Sequence, residues 1–154
     1  MRFATFAALL LTFAATSVSA QASDAHAGPK LNWGPAPANF PAGAEMAVLQ
    51  GNPGGSGLFT VRLRMPNGYV FPPHWHPTDE IVTVISGNFH VGMGKTFTTE
   101  GLLKLPAGGF VVAPANEAHY AITRGVTVVQ VHAQAPFALT YVNPDDAPKA
   151  SARR

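Results

Sequence analysis

The feature that most restricts the fold is a series of short apolar runs, each of which is ended by glycine or proline. Residues 58–65 alternate strictly, with an apolar side chain at every second position and mostly polar side chains between them. An alternation with a period of two predicts a half-buried β-strand. Gly51-Asn52-Pro53-Gly54-Gly55 before this run and Pro66-Asn67-Gly68 after it are strong turn signals.

Comparable runs predict strands along most of the remaining chain. They cover residues 46–49, 80–85, 89–93, 110–113, 119–123, 126–133 and 137–142. Residues 69–71 lead into the prolines before the histidine pair, and residues 102–105 are a short apolar run within a longer connection. Ser86-Gly87-Asn88, between two of these runs, predicts a hairpin turn. No segment shows a convincing amphipathic helical pattern. About eight or nine short strands joined by turns indicate an all-β sandwich or barrel.

The composition agrees with this fold class and excludes several functions. Charged residues make up only 12% of the chain, which suits short strands better than a helical bundle with solvated faces. The formal net charge is +2 and the basic residues form no extended cluster, so nucleic-acid binding is not expected. Because the chain contains no cysteine, any metal ion must be held by nitrogen and oxygen ligands.

Residues 1–20 have the pattern of a cleavable secretory signal peptide. Arg2 gives a basic start, residues 3–15 are largely apolar, and Val18-Ser19-Ala20 provides small residues before a cleavage site. The alternative is a membrane anchor, but the apolar run is shorter than the about 20 residues that a spanning helix needs. The pattern therefore predicts a periplasmic or secreted protein with no stable membrane insertion after cleavage.

The mature chain divides into three parts. Residues 21–44 are rich in Ala, Pro, Asn and Gly and lack periodicity, which predicts an irregular N-terminal segment. Residues 45–143 contain most of the predicted strands and form one barrel domain. Residues 144–154 form a polar C-terminal tail.

Three histidines and one glutamate have a spacing with geometric meaning. His74 and His76 are two residues apart, so on an extended chain their side chains share a face. Pro77 permits a bend after this pair, and Glu80 then begins the next strand. His119 opens a later strand just after a turn that contains proline. All four residues are therefore expected at strand ends, where the mouth of a barrel gathers side chains.

These residues also carry a resemblance to a known family. Gly68, His74, His76, Glu80 and Gly87 match every defining position of the first motif of the cupin superfamily. This motif is specific, because two histidines, a glutamate and two glycines must all be in register. The resemblance covers roughly residues 45–142.

The second cupin motif is matched in part. Gly108, Pro114 and His119 stand at its glycine, proline and histidine positions. Asn116 replaces the second glycine, and asparagine tolerates left-handed backbone angles better than most residues. Thr123 replaces the final asparagine, which removes a possible hydrogen bond outside the ligand set.

The resemblance implies a single-domain jelly-roll β-barrel with six to eight strands, and it implies a metal site. Three histidines and one glutamate hold the metal in this superfamily, which assigns that role to His74, His76, Glu80 and His119. The implied cofactor is one divalent transition metal ion, among manganese, iron, nickel, cobalt, copper and zinc. Cupin barrels commonly pair through their sheets, which implies a homodimer. The chain is also similar to small exported cupins of unassigned activity and to the cupin domain of zinc-binding anti-sigma factors.

A catalytic site would also need a group that carries protons. His132 and Tyr120 are the candidates for this role. His132 shares its strand parity with Val128 and Gln130, which allows it to line the cavity, and a hydrogen-bonded structural histidine is the alternative. Ordinary core packing is the alternative for Tyr120.

Two functions remain open from the sequence. The first is a small metalloenzyme of dioxygenase, lyase or isomerase type that acts on a small organic molecule outside the cytoplasm. The second is a metal-dependent module that binds or senses a small-molecule ligand without turnover. A proton carrier beside the metal favours the enzyme, and its absence favours the binding module.

Overall fold

The computed structural model describes residues 30–149, so the predicted signal peptide and the end of the C-terminal tail lie outside the described residues. Within that range the chain forms nine strands and one turn of 3-10 helix, Pro144–Asp146. The strands are β1 (Gly34–Pro35), β2 (Glu45–Gln50), β3 (Gly57–Met65), β4 (Val70–Trp75), β5 (Glu80–Met93), β6 (Leu103–Pro106), β7 (Phe110–Ala113), β8 (His119–Ala135) and β9 (Thr140–Tyr141). The predicted all-β class is confirmed. Within residues 30–149, no helix has the length and apolar character needed to cross a bilayer.

The strand β8 organises one antiparallel sheet. Its C-terminal half pairs with β3, and its N-terminal half pairs with β4, where His119 lies opposite His74. On its other side β8 pairs with β5 over nearly its whole length. The strands β6 and β7 add to the free edge of β5, and β2 and β1 extend the sheet beyond β3.

The sheet is curled so strongly that the two ends of the β5–β8 ribbon meet. Glu80 lies opposite Ala133, fourteen positions along β8 from His119 (133 minus 119). A straight strand of that length would separate them by roughly 45 Å, at about 3.3 Å per residue. Nevertheless, Oε2 of Glu80 lies only 3.3 Å from Nε2 of His119. The paired strands β5 and β8 therefore curl until their two ends meet, and they enclose the core.

A β-bulge, and not a hairpin, occupies Ser86-Gly87-Asn88. The strand β5 continues through these residues, and its register against β8 shifts between Val84 and Asn88. Val82 and Val84 are buried before the bulge, whereas Phe89 and Val91 are buried after it, so the inward face moves from even to odd positions. The predicted turn is wrong because a bulge interrupts the alternation of side chains in the same way that a turn does.

Three further elements differ from the sequence-based expectation. The predicted strands at 119–123 and 126–133 are one continuous strand, β8, with the left-handed Gly125 between them. The predicted strand at 137–142 is reduced to Thr140–Tyr141. The segment predicted to be irregular contains the two-residue strand β1, which pairs with β2.

The core lies on the concave side of the sheet. It is built almost entirely of apolar side chains from the inward faces of the long strands. Its largest fully buried members include Phe59, Met65, Val84 and Val129. The ligand-type histidines lie at one end of this core and are themselves buried.

The segment between β1 and β2 crosses the same end of the barrel. The Tyr69 hydroxyl donates a hydrogen bond of 2.6 Å to the carbonyl of Pro41, and the Tyr141 hydroxyl donates one of 2.8 Å to the carbonyl of Asn39. Burial raises the pKa of Tyr141 to about 12, so this hydroxyl keeps its proton. These two tyrosines hold residues 36–44, which we call the strap, against the barrel, and Phe40 of the strap packs on the ring of Phe71.

Candidate metal centre

The histidines converge from three places in the sequence. His74 and His119 are cross-strand neighbours in β4 and β8, and His76 follows directly after β4. Ring centroids are 4.4 Å apart for His74 and His119, 5.0 Å for His74 and His76, and 5.3 Å for His76 and His119. One ring nitrogen from each of the three lies within 4.8 Å of the other two.

Two loops that carry the centre are locked together by hydrogen bonds. The backbone NH of Asn116 donates to the carbonyl of His76 at 2.8 Å, and the NH of Ala115 donates to Oδ1 of Asp79 at 2.8 Å. Asn116 adopts a left-handed backbone with φ of 63°. Asparagine in place of the motif glycine therefore preserves the turn, as the sequence predicted.

The outer nitrogen of each ring is bound to a backbone carbonyl. Nδ1 lies 2.7 Å from the carbonyl of Pro72 for His74, 2.8 Å from that of Ala138 for His76, and 3.1 Å from that of Glu117 for His119. Because a carbonyl only accepts hydrogen bonds, each Nδ1 carries the proton. When a ring is neutral, its lone pair is therefore on Nε2, and this is the arrangement that metal-ligating histidines use.

The inner nitrogens lack hydrogen-bond partners, although they are fully enclosed. Nε2 of His76 and Nε2 of His119 make no hydrogen bond within the described residues. A buried polar atom without a partner costs about 1–3 kcal/mol. A divalent cation between the rings would satisfy both lone pairs, so the residues fit a metal ion. In such a complex His74, His76 and His119 would supply three imidazole ligands.

Glu80 contributes a carboxylate on one side of this group. Its Oε2 lies 3.3 Å from Nε2 of His119 and 3.8 Å from Nε2 of His76, and its side chain is 14% exposed. The structure therefore brings all four predicted residues together. The carboxylate is close to two of the three imidazoles, a position from which it could complete the ligand set.

Electrostatics favour neutral rings at His74 and His76. Burial, with the neighbouring imidazoles as a second cause, lowers the pKa of His74 to about 3. Burial also lowers the pKa of His76. At His119, burial lowers the pKa, but the negative charge of the neighbouring Glu80 carboxylate outweighs it and the pKa rises. The carboxylate is correspondingly stabilised as an anion, so the pKa of Glu80 falls despite its burial.

Apart from the four ligand-type residues, the walls of the metal pocket are apolar. They are Phe40, Leu63, Met65, Phe71, Val82, Phe89, Val91, Ala113, Ala121, Val129, Val131, Phe137 and Leu139. The free volume is about 40 Å³, which holds about two or three water-sized groups. The pocket thus leaves room for a metal ion together with small ligands.

A second cavity, which we call the outer chamber, adjoins the metal pocket. Its volume is about 240 Å³. It is lined by Pro37, Asn39, Phe40, Met46, Pro53, Gly54, Phe59, Val61, Leu63, Glu80, Val131, Phe137 and Leu139.

Neither predicted proton carrier lines the metal pocket. The inward positions of β8 are odd-numbered, and they include His119, Val129 and Val131. His132 therefore lies on the outer face, where Nδ1 is 2.8 Å from Oγ1 of Thr60 and Nε2 is 3.0 Å from Nε2 of Gln130. It has the role of a hydrogen-bonded structural histidine.

Tyr120 also faces away from the ligands. Its ring lies against Gly92, where an added Cβ would come within 2.4 Å of it, and it contacts the ring of Phe97 at 5.3 Å. The placement of His132 and Tyr120 leaves Glu80 as the only titratable group besides the histidines among the residues that line the pocket.

Phe137 is a part of the site that the sequence does not reveal. Its ring stacks on His76, with centroids 4.1 Å apart and an angle of 19° between the planes, and it meets Phe59 edge-on. The adjacent carbonyl of Ala138 accepts the hydrogen bond from His76. Phe137 lies in the short connection between β8 and β9, within the segment 137–142 that the sequence predicted to be a strand, so its position against His76 could not be deduced.

Thr123, the second departure from the motif, makes its own hydrogen bonds. Its buried hydroxyl accepts from the NH of Tyr69 at 3.0 Å and donates to the carbonyl of Pro66 at 2.6 Å. The residue that replaces asparagine thus fixes the turn that leads into β4, and the ligand set is intact.

Comparison with known proteins identifies the family. Residues 29–138 match the sequence profile of the ChrR cupin-like domain. The chain belongs to this cupin family. The expected cupin fold is thereby confirmed, and the curled sheet is its jelly-roll barrel. No curated protein sequence matches the chain.

Solved cupin structures share the fold at low sequence identity. A candidate acetylacetone dioxygenase from Methylibium petroleiphilum is 24% identical, covers 87% of this chain and 91% of its own, and has a TM-score of 0.62. The dimethylsulfoniopropionate (DMSP) lyase DddQ from Ruegeria pomeroyi is 20% identical over 75% of this chain and 62% of its own, with a TM-score of 0.60. An RmlC-like cupin from Shewanella frigidimarina is 18% identical over 70% of this chain and 86% of its own, with a TM-score of 0.54.

Proposed function

We propose that this cupin is a metal-dependent enzyme that acts on a small organic molecule. The observation that carries the proposal is the convergence of three imidazoles in an apolar cavity, two of them with no hydrogen-bond partner for Nε2. A divalent metal at this point would polarise an oxygen atom of the substrate. The apolar walls would exclude bulk water from the reacting group.

The cavity chemistry narrows the substrate class. Besides the histidines, the metal pocket presents a single carboxylate, Glu80, and no side chain that would bind an anion. A divalent ion beside Glu80 would leave a net charge of about +1, which could meet one anionic group, whereas any further charged group would be desolvated without compensation by the apolar walls. We infer an oxygen-containing substrate that is uncharged away from the metal, such as a small ketone or dicarbonyl, and the fold similarity to a candidate acetylacetone dioxygenase supports this class.

The experiment is a metal and substrate screen with a matched variant. Metal-free protein is reloaded separately with iron(II), manganese(II), nickel(II) and zinc(II), and is then incubated with small ketones and dicarbonyls with and without oxygen. Products are followed by mass spectrometry. We expect conversion that depends on the metal and is lost in His119→Ala. Turnover that is equal in His119→Ala would contradict the proposal.

A non-catalytic binding module is the second candidate, and one observation favours it. Neither His132 nor Tyr120 reaches the metal pocket, so proton transfer would depend on Glu80 or on water. Binding of small carbonyl compounds by the metal-loaded protein, without conversion under any condition of the screen, would establish this alternative.

Export and dimerisation are also proposals. Export is supported by the signal-peptide pattern of residues 1–20, and N-terminal sequencing of protein from the periplasm or medium tests it. An intact Met1 on the exported protein would contradict cleavage. Dimerisation is supported by exposed apolar residues at the β7 edge, where Phe110 is 56% and Val112 is 41% exposed. Light scattering would give the mass of one chain if this proposal is wrong.

A further inference from the structure

We propose that the outer chamber binds the uncharged hydrocarbon part of the molecule whose oxygen-bearing end reaches the metal centre. This inference rests on the proposed function and adds a second binding region to it. The chamber is about six times larger than the metal pocket, 240 Å³ against 40 Å³. Most of a ligand larger than a few atoms must therefore lie in the chamber.

The chamber and the metal pocket are neighbours that share part of their walls. Six residues line both cavities, and they are Phe40, Leu63, Glu80, Val131, Phe137 and Leu139. Glu80 lies within 4 Å of two of the histidines, so the chamber reaches the ligand group itself. The shared residues are where a molecule held by the metal centre would extend into the chamber.

The lining of the chamber is almost entirely apolar. Met46, Phe59 and Val61 lie on its walls together with the shared residues, and Glu80 is the only ionisable group that it contains. The amide of Asn39 is the other polar side chain. A hydrocarbon chain would gain free energy from burial here, whereas a charged group or a polyol would lose hydration without new partners.

The walls are held in place by hydrogen bonds from outside the chamber. The NH of Phe137 donates to the carbonyl of Pro53 at 2.9 Å, which joins two walls directly. The Tyr141 hydroxyl holds the strap at Asn39. The ring of Phe59 packs edge-on against Phe137 at 5.2 Å between centroids. The chamber is therefore a built cavity and not a gap between mobile loops.

The test uses straight-chain alkanohydroxamic acids, from the two-carbon to the ten-carbon member, as probes for zinc-loaded protein. The hydroxamate group binds divalent metals through oxygen, and zinc avoids redox turnover. Affinity is measured by isothermal titration calorimetry. We expect binding to tighten about fourfold per methylene, because burial of each one contributes about 0.8 kcal/mol, until the chamber is filled.

Two variants and a control test whether the added methylene groups of the probes bind in the outer chamber. Met46 lines the outer chamber but not the metal pocket, so Met46→Gln should reduce the gain per methylene. Gly54→Leu is a second variant, since a Cβ there meets only the side chain of Asn52 at 3.6 Å and the protein should fold. It should shorten the chain length at which affinity stops rising. Leu58→Gln, at a position that is 67% exposed on β3, is the control and should behave as wild type.

The outcomes separate this inference from the proposed function. Zinc binding with an affinity that does not depend on chain length would overturn the outer-chamber proposal and leave the metal centre standing. An identical gain per methylene in Met46→Gln, Gly54→Leu and wild type would also overturn it. A protein that takes up no metal would overturn both proposals.

Discussion

At the residue scale, the hydrogen bonds at Nδ1 orient each histidine ring so that Nε2 can bind a metal ion. Backbone carbonyls of Pro72, Ala138 and Glu117 hold the proton on Nδ1 and aim Nε2 inward. The motif spacing does not predict which carbonyl accepts from each Nδ1, because that depends on which parts of the backbone lie next to each histidine in the folded barrel. The sequence identifies the four ligand-type residues, and the fold supplies the tautomer in which three of them can offer Nε2 to a metal ion.

The same burial makes the metal-free protein sensitive to acid. The pKa of His74 is about 3 and that of His76 is lowered, whereas an unfolded histidine has a pKa of about 6.5. Below pH 6.5 the unfolded chain therefore binds more protons than the folded chain, and stability is lost as the pH falls toward 3. Each such histidine contributes a slope of up to about 1.4 kcal/mol per pH unit.

Urea unfolding of metal-free protein between pH 6.5 and 4.5 measures this slope. We expect the free energy of unfolding to decrease with falling pH. In His74→Gln this decrease should be smaller, by up to about 1.4 kcal/mol per pH unit, because one protonation site is removed. His119 does not produce this effect, because its pKa is raised by Glu80. Unfolding energies that do not change over this range would show that the rings are not held neutral by burial.

At the element scale, the bulge in β5 is the feature that the alternation of apolar and polar residues does not predict. Alternation correctly predicts that the chain is built of strands, and it predicts β3 to within one residue at its start. It fails at Ser86-Gly87-Asn88 and at Gly125, because bulges and turns share the same residue types. Whether a strand continues past such a break depends on pairing with β8, which is distant in sequence. Local residues do not specify that pairing.

A pair of glycine variants tests the role of the bulge. Gly87 and Gly125 both have left-handed backbones, with φ of 81° and 79°. A Cβ on Gly87 would lie 2.4 Å from the carbonyl oxygen of Val126 and 2.6 Å from Oγ1 of Thr127, whereas a Cβ on Gly125 would meet nothing within 4 Å. Gly125→Ala should cost about 1–2 kcal/mol for the backbone alone.

Gly87→Ala should cost clearly more, because it adds the clash to the same backbone strain. Chemical denaturation of both variants measures the difference. Since the bulge lies between the two ends of the β5–β8 pair that meet at the candidate site, Gly87→Ala should also lower the metal content, and Gly125→Ala should leave it near the wild-type level. Equal destabilisation by the two variants would count against the close approach of β5 and β8 at Gly87.

At the scale of the whole molecule, the barrel brings together residues that are far apart along its strands and closes one end with the strap. Glu80 and His119 stand at opposite ends of the β5–β8 ribbon, and only closure of the sheet brings their side chains to 3.3 Å. The strap lies over the cavities and is held by the hydroxyl groups of Tyr69 and Tyr141. The sequence motif predicts that closure, whereas the strap, in a segment without periodicity, is found only in the structure.

Loosening the strap should open the metal centre to solvent. Tyr69→Phe and Tyr141→Phe each remove a hydroxyl that donates to the strap backbone, which costs about 0.5–1.5 kcal/mol. We expect faster metal loss to a chelator and faster hydrogen exchange at the NH groups of Ala36 and Phe40. Tyr120→Phe is the matched control, because its hydroxyl lies on the outer face and makes no hydrogen bond to the strap. Equal metal-loss rates in all three variants would show that the strap does not cover the site.

The claim on which the function depends is that three imidazoles and a carboxylate hold one metal ion. Inductively coupled plasma mass spectrometry of the natively purified protein measures this directly. The predicted result is close to one transition metal ion per chain, with a sharp loss of occupancy in His76→Ala and in His119→Ala and full occupancy in His132→Ala. Metal-free wild-type protein that takes up no ion on reloading, or unchanged occupancy in His76→Ala and His119→Ala, would contradict the account.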